Sequence, residues 1–140
     1  MSALYGLFKQ SMLSLSPSVD FDNTSELVKA ALVTSNYSAN TATNGHQYFS
    51  SVGTNALATA TLTSRTVVGG VFDAADVTFS SVSGSGSINQ IIIYKDTGTA
   101  SNSPLIAVID STSSGNIAIT PNGGDITVSW DNGASKIFAL

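Results

Sequence analysis

His46 is the only histidine in the chain, and with the abundant serines it is the raw material for a nucleophile-and-base pair. Its nearest acids in sequence, Glu26 and Asp73, sit at no motif spacing. Triad partners meet in space, so spacing alone does not dismiss such a site. However, no Gly-x-Ser-x-Gly elbow occurs, and the run Ser83-Gly84-Ser85-Gly86-Ser87 does not lead from a strand into a helix. The same run lacks the Gly-Lys-Ser/Thr that a phosphate cradle needs. Asp20-Phe21-Asp22-Asn23 offers alternating oxygens for calcium, as do Asp73 and Asp76, but both stop short of a full ligand set. Asp and Asn are also what turns require. The nine acids fall mostly at turns, whereas glycoside hydrolysis needs two across a cleft. Trp130 could stack on a sugar, yet a sole Trp in a small sandwich usually packs in the core or an interface. No catalytic, cofactor-binding or metal-binding residue is expected, and the chain reads as a non-enzyme.

Composition narrows the partners. Five Lys and Arg against nine Asp and Glu leave a net charge of −4. The basic residues Lys9, Lys29, Arg65, Lys95 and Lys136 are scattered, so a nucleic-acid partner, which demands clustered phosphate contacts, is not expected. Charged residues make up 10% of the chain, where about 25% is usual. Ser and Thr take their place, giving a hydroxyl-rich, weakly repulsive surface suited to lying against another protein. With no cysteine, disulfides, thiolate chemistry and the usual structural zinc sites drop out. Residues 1–10 carry no positively charged region ahead of an apolar core, and no stretch approaches the roughly 20 apolar residues of a membrane span. Neither a secretory leader nor a membrane partner is expected.

The elements that would position these residues are strands. Residues 88–94, 104–110, 116–120, 125–130 and 136–140 are short apolar runs about ten residues apart, separated by Asp96-Thr97-Gly98, Ser114-Gly115, Asn122-Gly123-Gly124 and Asp131-Asn132-Gly133. Such short connections exclude helical crossovers and predict antiparallel pairing. Residues 90–94 and 105–109 are apolar at consecutive positions, so both of their faces must be covered, by the N-terminal segment or by a partner. Upstream, Leu4, Leu7, Phe8, Met12 and Leu15 fall near a helical period, which predicts a short amphipathic helix or arm over residues 1–17, stopped by Ser16-Pro17-Ser18. Residues 26–35 fit either a helix or a strand, and the loop that follows favours a strand on Val28, Ala30, Leu32 and Thr34; 36–53 reads as a long loop, with room for one helical turn, pinned by its aromatics, 55–65 and 66–72 as strand material with a bulge or bend at Gly69-Gly70, and Val77, Phe79 and Val82 as the start of another strand. About eight short antiparallel strands in 140 residues predict one all-β domain spanning 1–140, an antiparallel β-sandwich of jelly-roll type with a short N-terminal helix or arm.

Several stretches carry a resemblance. Asp76-Val77-Thr78-Phe79 with Ser81-Val82-Ser83-Gly84, Ile91 through Gly98 (IIIYKDTG), Ser103 through Ala107, Thr120 through Asp125, Trp130-Asp131-Asn132-Gly133 and Lys136-Ile137-Phe138 together resemble a family of small virion proteins of tailed bacteriophages. The likeness covers the C-terminal half well and the N-terminal half loosely. It is most similar to the capsid cement, or decoration, proteins: jelly-roll sandwiches, commonly dimers, that clamp the outside of an HK97-type shell. The resemblance implies a structural virion protein on a phage head, assembled in the host cytoplasm, binding the major capsid protein and reinforcing contacts between capsomers. It also implies a homodimer and no cofactor, and it transfers no catalytic residues.

A cement protein needs segments that reach its neighbours. Leu4, Leu7 and Phe8 of the arm, Tyr37, His46, Tyr48 and Phe49 of the 36–53 loop, and Ile137, Phe138 and Leu140 at the last strand are therefore the expected capsid or dimer contacts. An apolar Leu140 is expected to be ordered by packing. The rival readings are another virion component, in the tail, neck or fibre base, and a carbohydrate-binding module using Trp130, Tyr94 or the loop aromatics.

Overall fold

The computed structural model describes residues 2–14 and 19–140. Its centre is an antiparallel five-stranded sheet built from β1 (Ala3–Leu4), β2 (Leu27–Thr34), β3 (Ala56–Thr61), β7 (Ile88–Asp96) and β8 (Leu105–Ile109), in the order β1-β8-β7-β2-β3. The β-branched run Ile91-Ile92-Ile93 suits the pleat of the central strand. The long β2–β7 ladder runs from Leu27↔Asp96 to Thr34↔Ile88 and shifts register at Val33/Thr34. Every residue from Gln90 to Tyr94 is buried, and since successive side chains point to opposite faces, both faces of the sheet are covered.

One chain supplies both covers. On the face of Gln90, Ile92 and Tyr94 lies the 36–53 loop: Gln90 Nε2 donates to Tyr37 O at 2.7 Å, and the Phe49 ring stacks on Tyr94 at 3.9 Å between centroids. On the face of Ile91 and its cross-strand neighbour Leu32 lie residues 117–119 and a two-stranded sheet of β6 (Val77–Phe79) and β11 (Ile126–Val128). Beyond the β1 edge, α1 (Gly6–Ser14) packs with a three-stranded sheet of order β12-β5-β4, made from β12 (Phe138–Ala139), β5 (Val71–Asp73) and β4 (Thr66–Val68). There Phe8, Phe21, Phe72 and Phe138 form a ring cluster with centroid separations of 4.9 to 6.4 Å. A small hairpin of β9 (Ser111–Thr112) and β10 (Gly115–Asn116) completes the strands.

The architecture is therefore all-β, antiparallel and sandwich-like with one short helix, as the spacing of strands and turns predicts. The second layer differs in being three small sheets instead of one continuous one. Of the C-terminal segments, the first two pair in succession as expected, β7 with β8, and the later ones do not. Those at 88–96 and 105–109 join the main sheet, 126–128 pairs back to β6, and 138–139 pairs back to β5. Residues 116–120 contribute only the end of β10 and an isolated bridge from Ile119 to Ile88. Gly69-Gly70 is a hairpin turn rather than a bulge: φ of 60° and 79° at two successive positions is the conformation of a two-residue connection. Leu4 belongs to β1, captured by the free edge of β8, and not to the helix. Leu13 points to solvent, so the apolar side of α1 is narrower than its sequence period suggests. Leu15 and the Ser16-Pro17-Ser18 stop lie outside the described residues.

Ile92 is fully buried at the sheet centre, so Ile92→Ala should cost about 2–5 kcal/mol, read as a lower midpoint in urea unfolding. Val68→Thr, on an exposed strand, should leave that midpoint within about 0.5 kcal/mol of the parent.

Candidate functional site

The polar groups with chemical potential are consumed by the fold. Tyr5 OH and Tyr37 OH lie 2.9 Å apart, and Tyr37 OH lies 2.9 Å from His46 Nδ1. Tyr5 is 0% exposed and burial pushes its phenol well above the ordinary tyrosine range, so it stays a neutral hydroxyl. The chain Tyr5, Tyr37, His46 contains no serine and no carboxylate. It ties the N-terminal segment to the loop, helped by Gly6 N–H donating to Thr41 O at 3.0 Å. Gly6 is required there, because a Cβ would stand 2.6 Å from Ala42 O.

The acids have equally structural employment. Glu26 takes Lys95 Nζ at 2.7 Å on one oxygen and the Asp20 N–H at 2.8 Å on the other. Hydrogen bonding to Asp22 raises the Asp20 carboxyl above the usual carboxylate range. Lys29 Nζ sits 2.6 Å from Asp96 Oδ2, and this contact, with the Gly98 N–H, lowers the Asp96 carboxyl. Asp73 pairs with Lys136 at 3.1 Å, and Asp76 accepts the Trp130 N–H at 3.0 Å. Among the described residues no group of three or more His, Cys, Asp or Glu is placed to hold a metal ion. The 83–87 run is a connection from β6 to β7 lying against Leu57 and Thr34.

Two of the aromatics expected to meet a glycan are also inside. Trp130 is 8% exposed and its indole N–H donates to Ala75 O at 3.1 Å. Tyr94 is buried under Phe49. Neither presents a free ring face.

The three regions expected to make contacts do come together, around the N-terminal segment. Tyr37 and His46 join Tyr5, Phe8 meets Phe138, and Leu4 shares a shallow groove with Ile137 and Phe138. Tyr48 bridges Pro104, and the Phe49 N–H donates to Ser103 O at 2.8 Å. Phe8 and Tyr37 are buried within this chain, and Leu4, Leu7, His46, Tyr48, Phe49, Ile137 and Phe138 are half-buried. Leu140 is 63% exposed, held by its N–H to Gly70 O at 2.9 Å rather than by its side chain. The exposed apolar groups missed in the sequence are Val67 and Val68 on β4, with Val68 75% exposed, Leu27 at the start of β2, and Leu13, 92% exposed. Val68, the Gly69-Gly70 turn and Leu140 adjoin at one end of the three-stranded sheet, whose outer strand is β4. The cue was present in Thr66-Val67-Val68-Gly69-Gly70, a β-branched run ending in a hairpin dipeptide.

No family model matches this chain, and a search of curated proteins finds no match.

Tyr37→Phe should strand the Tyr5 hydroxyl in the core and cost about 1–3 kcal/mol in chemical unfolding. Adding Tyr5→Phe should recover part of that loss, because both partners are then apolar. Burial pushes the Tyr94 phenol up to about 12. Its contribution to stability is therefore complete below the unfolded tyrosine value of about 10 and is lost as pH rises toward 12. Unfolding midpoints measured across that window should fall less steeply for Tyr94→Phe than for the parent; parallel curves would contradict the assignment.

Proposed function

We propose that this chain is a non-enzymatic structural virion protein that binds the outside of a phage capsid and reinforces contacts between major capsid protein capsomers. The observation that carries the reading is the exposure of Val67 and Val68 on the outer strand β4, with Leu140 at the same end of that sheet, on a hydroxyl-rich sandwich whose histidine and buried tyrosines are hydrogen-bonded to one another. The resemblance of residues 76–138 to capsid cement proteins supports the same reading. An exposed β4 edge also suits the homodimer that the resemblance implies, since unpaired edges favour isologous pairing.

The physical logic is that of repetition. Burying one Val or Leu side chain contributes about 1.5–3 kcal/mol. A shell offers many identical seams, so modest contacts sum to a large resistance against internal pressure. A low surface charge avoids the repulsion that would build up among closely packed copies.

Heating particles assembled with and without the protein tests this. Particles lacking it should release DNA at a lower temperature, and particles carrying Val68→Asp should behave as though it were absent. Equal release temperatures with and without the protein would reject the cement role. A copy number matching a tail or neck ring, instead of the capsid lattice, would move the protein to the rival virion position.

A further inference from the structure

Residues 116–120 and 125–130 run to and from the Pro121-Asn122-Gly123-Gly124 turn, yet they do not pair with each other. Each arm is anchored elsewhere. The Ile117 N–H donates to Asp110 O at 2.9 Å, and Ile119 exchanges both backbone bonds with Ile88 at 2.8 and 2.9 Å. The other arm pairs with β6 through β11, and the turn itself is clamped to Val82 by Val82 N–H to Gly124 O at 2.9 Å and Gly123 N–H to Val82 O at 2.7 Å. The hairpin is thus held open. Between its arms lies a groove of about 330 Å³ floored by Leu32 and Ile91 and walled by Ile117, Ile119, Ile126 and Val128.

Backbone alternation decides what the walls present. Ile117 and Ile119 spend their amides on the main sheet, so the intervening Ala118 turns its N–H and C=O the other way. On the opposite wall the Trp130 N–H points to Asp76 on the β6 side, and by the same alternation the backbone N–H and C=O of Thr127 face away from β6, while its hydroxyl lies 2.9 Å from that of Thr78. Ala118 and Thr127 are both exposed, and among the described residues Ala118 has no backbone partner. No charged side chain lines the groove.

We propose that this groove accepts a short, uncharged, extended segment of another protein, which inserts between Ala118 and Thr127 as an added β-strand and places alternate apolar side chains over Leu32 and Ile91. The edge of β11 facing an extended segment with free main-chain groups, above an apolar floor, meets the requirements of strand addition: main-chain bonds supply affinity and the floor selects side chains. The absence of charge on the lining disfavours a charged occupant, which would be desolvated without compensation. A second copy of this chain is the poorer occupant. An inserted strand needs both edges free, and each strand among the described residues is already paired on at least one edge. The assignment of that segment to the capsid protein rests on the function proposed above; the groove and the chemistry of its occupant do not.

Amide hydrogen exchange on the full chain, with the uncharged peptide acetyl-Thr-Val-Thr-Val-Thr-amide as probe, tests the inference. In the chain alone, the Ala118 and Thr127 N–H groups should exchange as freely as a surface loop while that of Ile93 is protected. With the peptide at about ten times its dissociation constant, exchange at both positions should slow about tenfold, and an N-methylated peptide should have no effect. Protection of both positions in the chain alone, whether the arms have zipped together or a second copy fills the groove at high concentration, would overturn the proposal. So would a peptide that binds without protecting them, or that does not bind. Peptide protection in a protein that leaves particle stability unchanged would retain the groove and assign its strand to a different owner.

Discussion

The fold depends on burying β2 and β7 on both faces. Ala30 to Thr34 and Gln90 to Tyr94 have essentially no contact with water, and a pleated strand sends successive side chains to opposite sides. A 140-residue chain must therefore wrap cover around both faces of its own sheet. One face receives the 36–53 loop, whose Tyr37 and Phe49 sit on Gln90 and Tyr94; the other receives β6, β11 and residues 117–119. This demand explains why the second layer is fragmented. Short pieces arriving from different parts of the chain cover area without forming a single ladder.

The same demand determines where polar groups go. With 10% charged residues there is little to spare, and Lys29, Lys95 and Lys136 are each paired with a carboxylate within 3.1 Å. Arg65 donates to the carbonyls of Asn23 and Glu26, tying the segment before β2 to the loop after β3. His46 and the two buried tyrosines form a line of hydroxyls and imidazole that fastens the N-terminus. These polar groups fasten the covering layers to one another. What faces outward is mainly hydroxyl, with exposed apolar groups on the outer β4 strand and an open groove between residues 116–120 and 125–130.

Much of the architecture was legible because its signals are local. Consecutive apolar runs bounded by turn residues marked β7 and β8, and Asp96-Thr97-Gly98 and Asn122-Gly123-Gly124 marked turns, since positive φ or an Asx turn restricts which residue can stand there. Helix α1 was legible from its period. Leu4 was misread because the free edge of β8 competes for it, a distant influence that no local window contains. Phe8 and Tyr37 looked like contact residues because a loop or arm aromatic has the same sequence signature whether it packs inward or onto a partner. Val67 and Val68 were not singled out as exposed because a β-branched pair carries no sign of being on an outer strand.

Residue order alone thus established an antiparallel all-β chain without clustered basic groups or cysteine chemistry, because strand period, turn type and composition are properties of neighbouring residues. Which strands pair, which aromatics are hidden, and that the 116–130 hairpin stands open were settled by the folded chain. Those outcomes depend on contacts between segments as far apart as Ala3 and Val108, where the energy of burial is shared among residues that no local pattern connects.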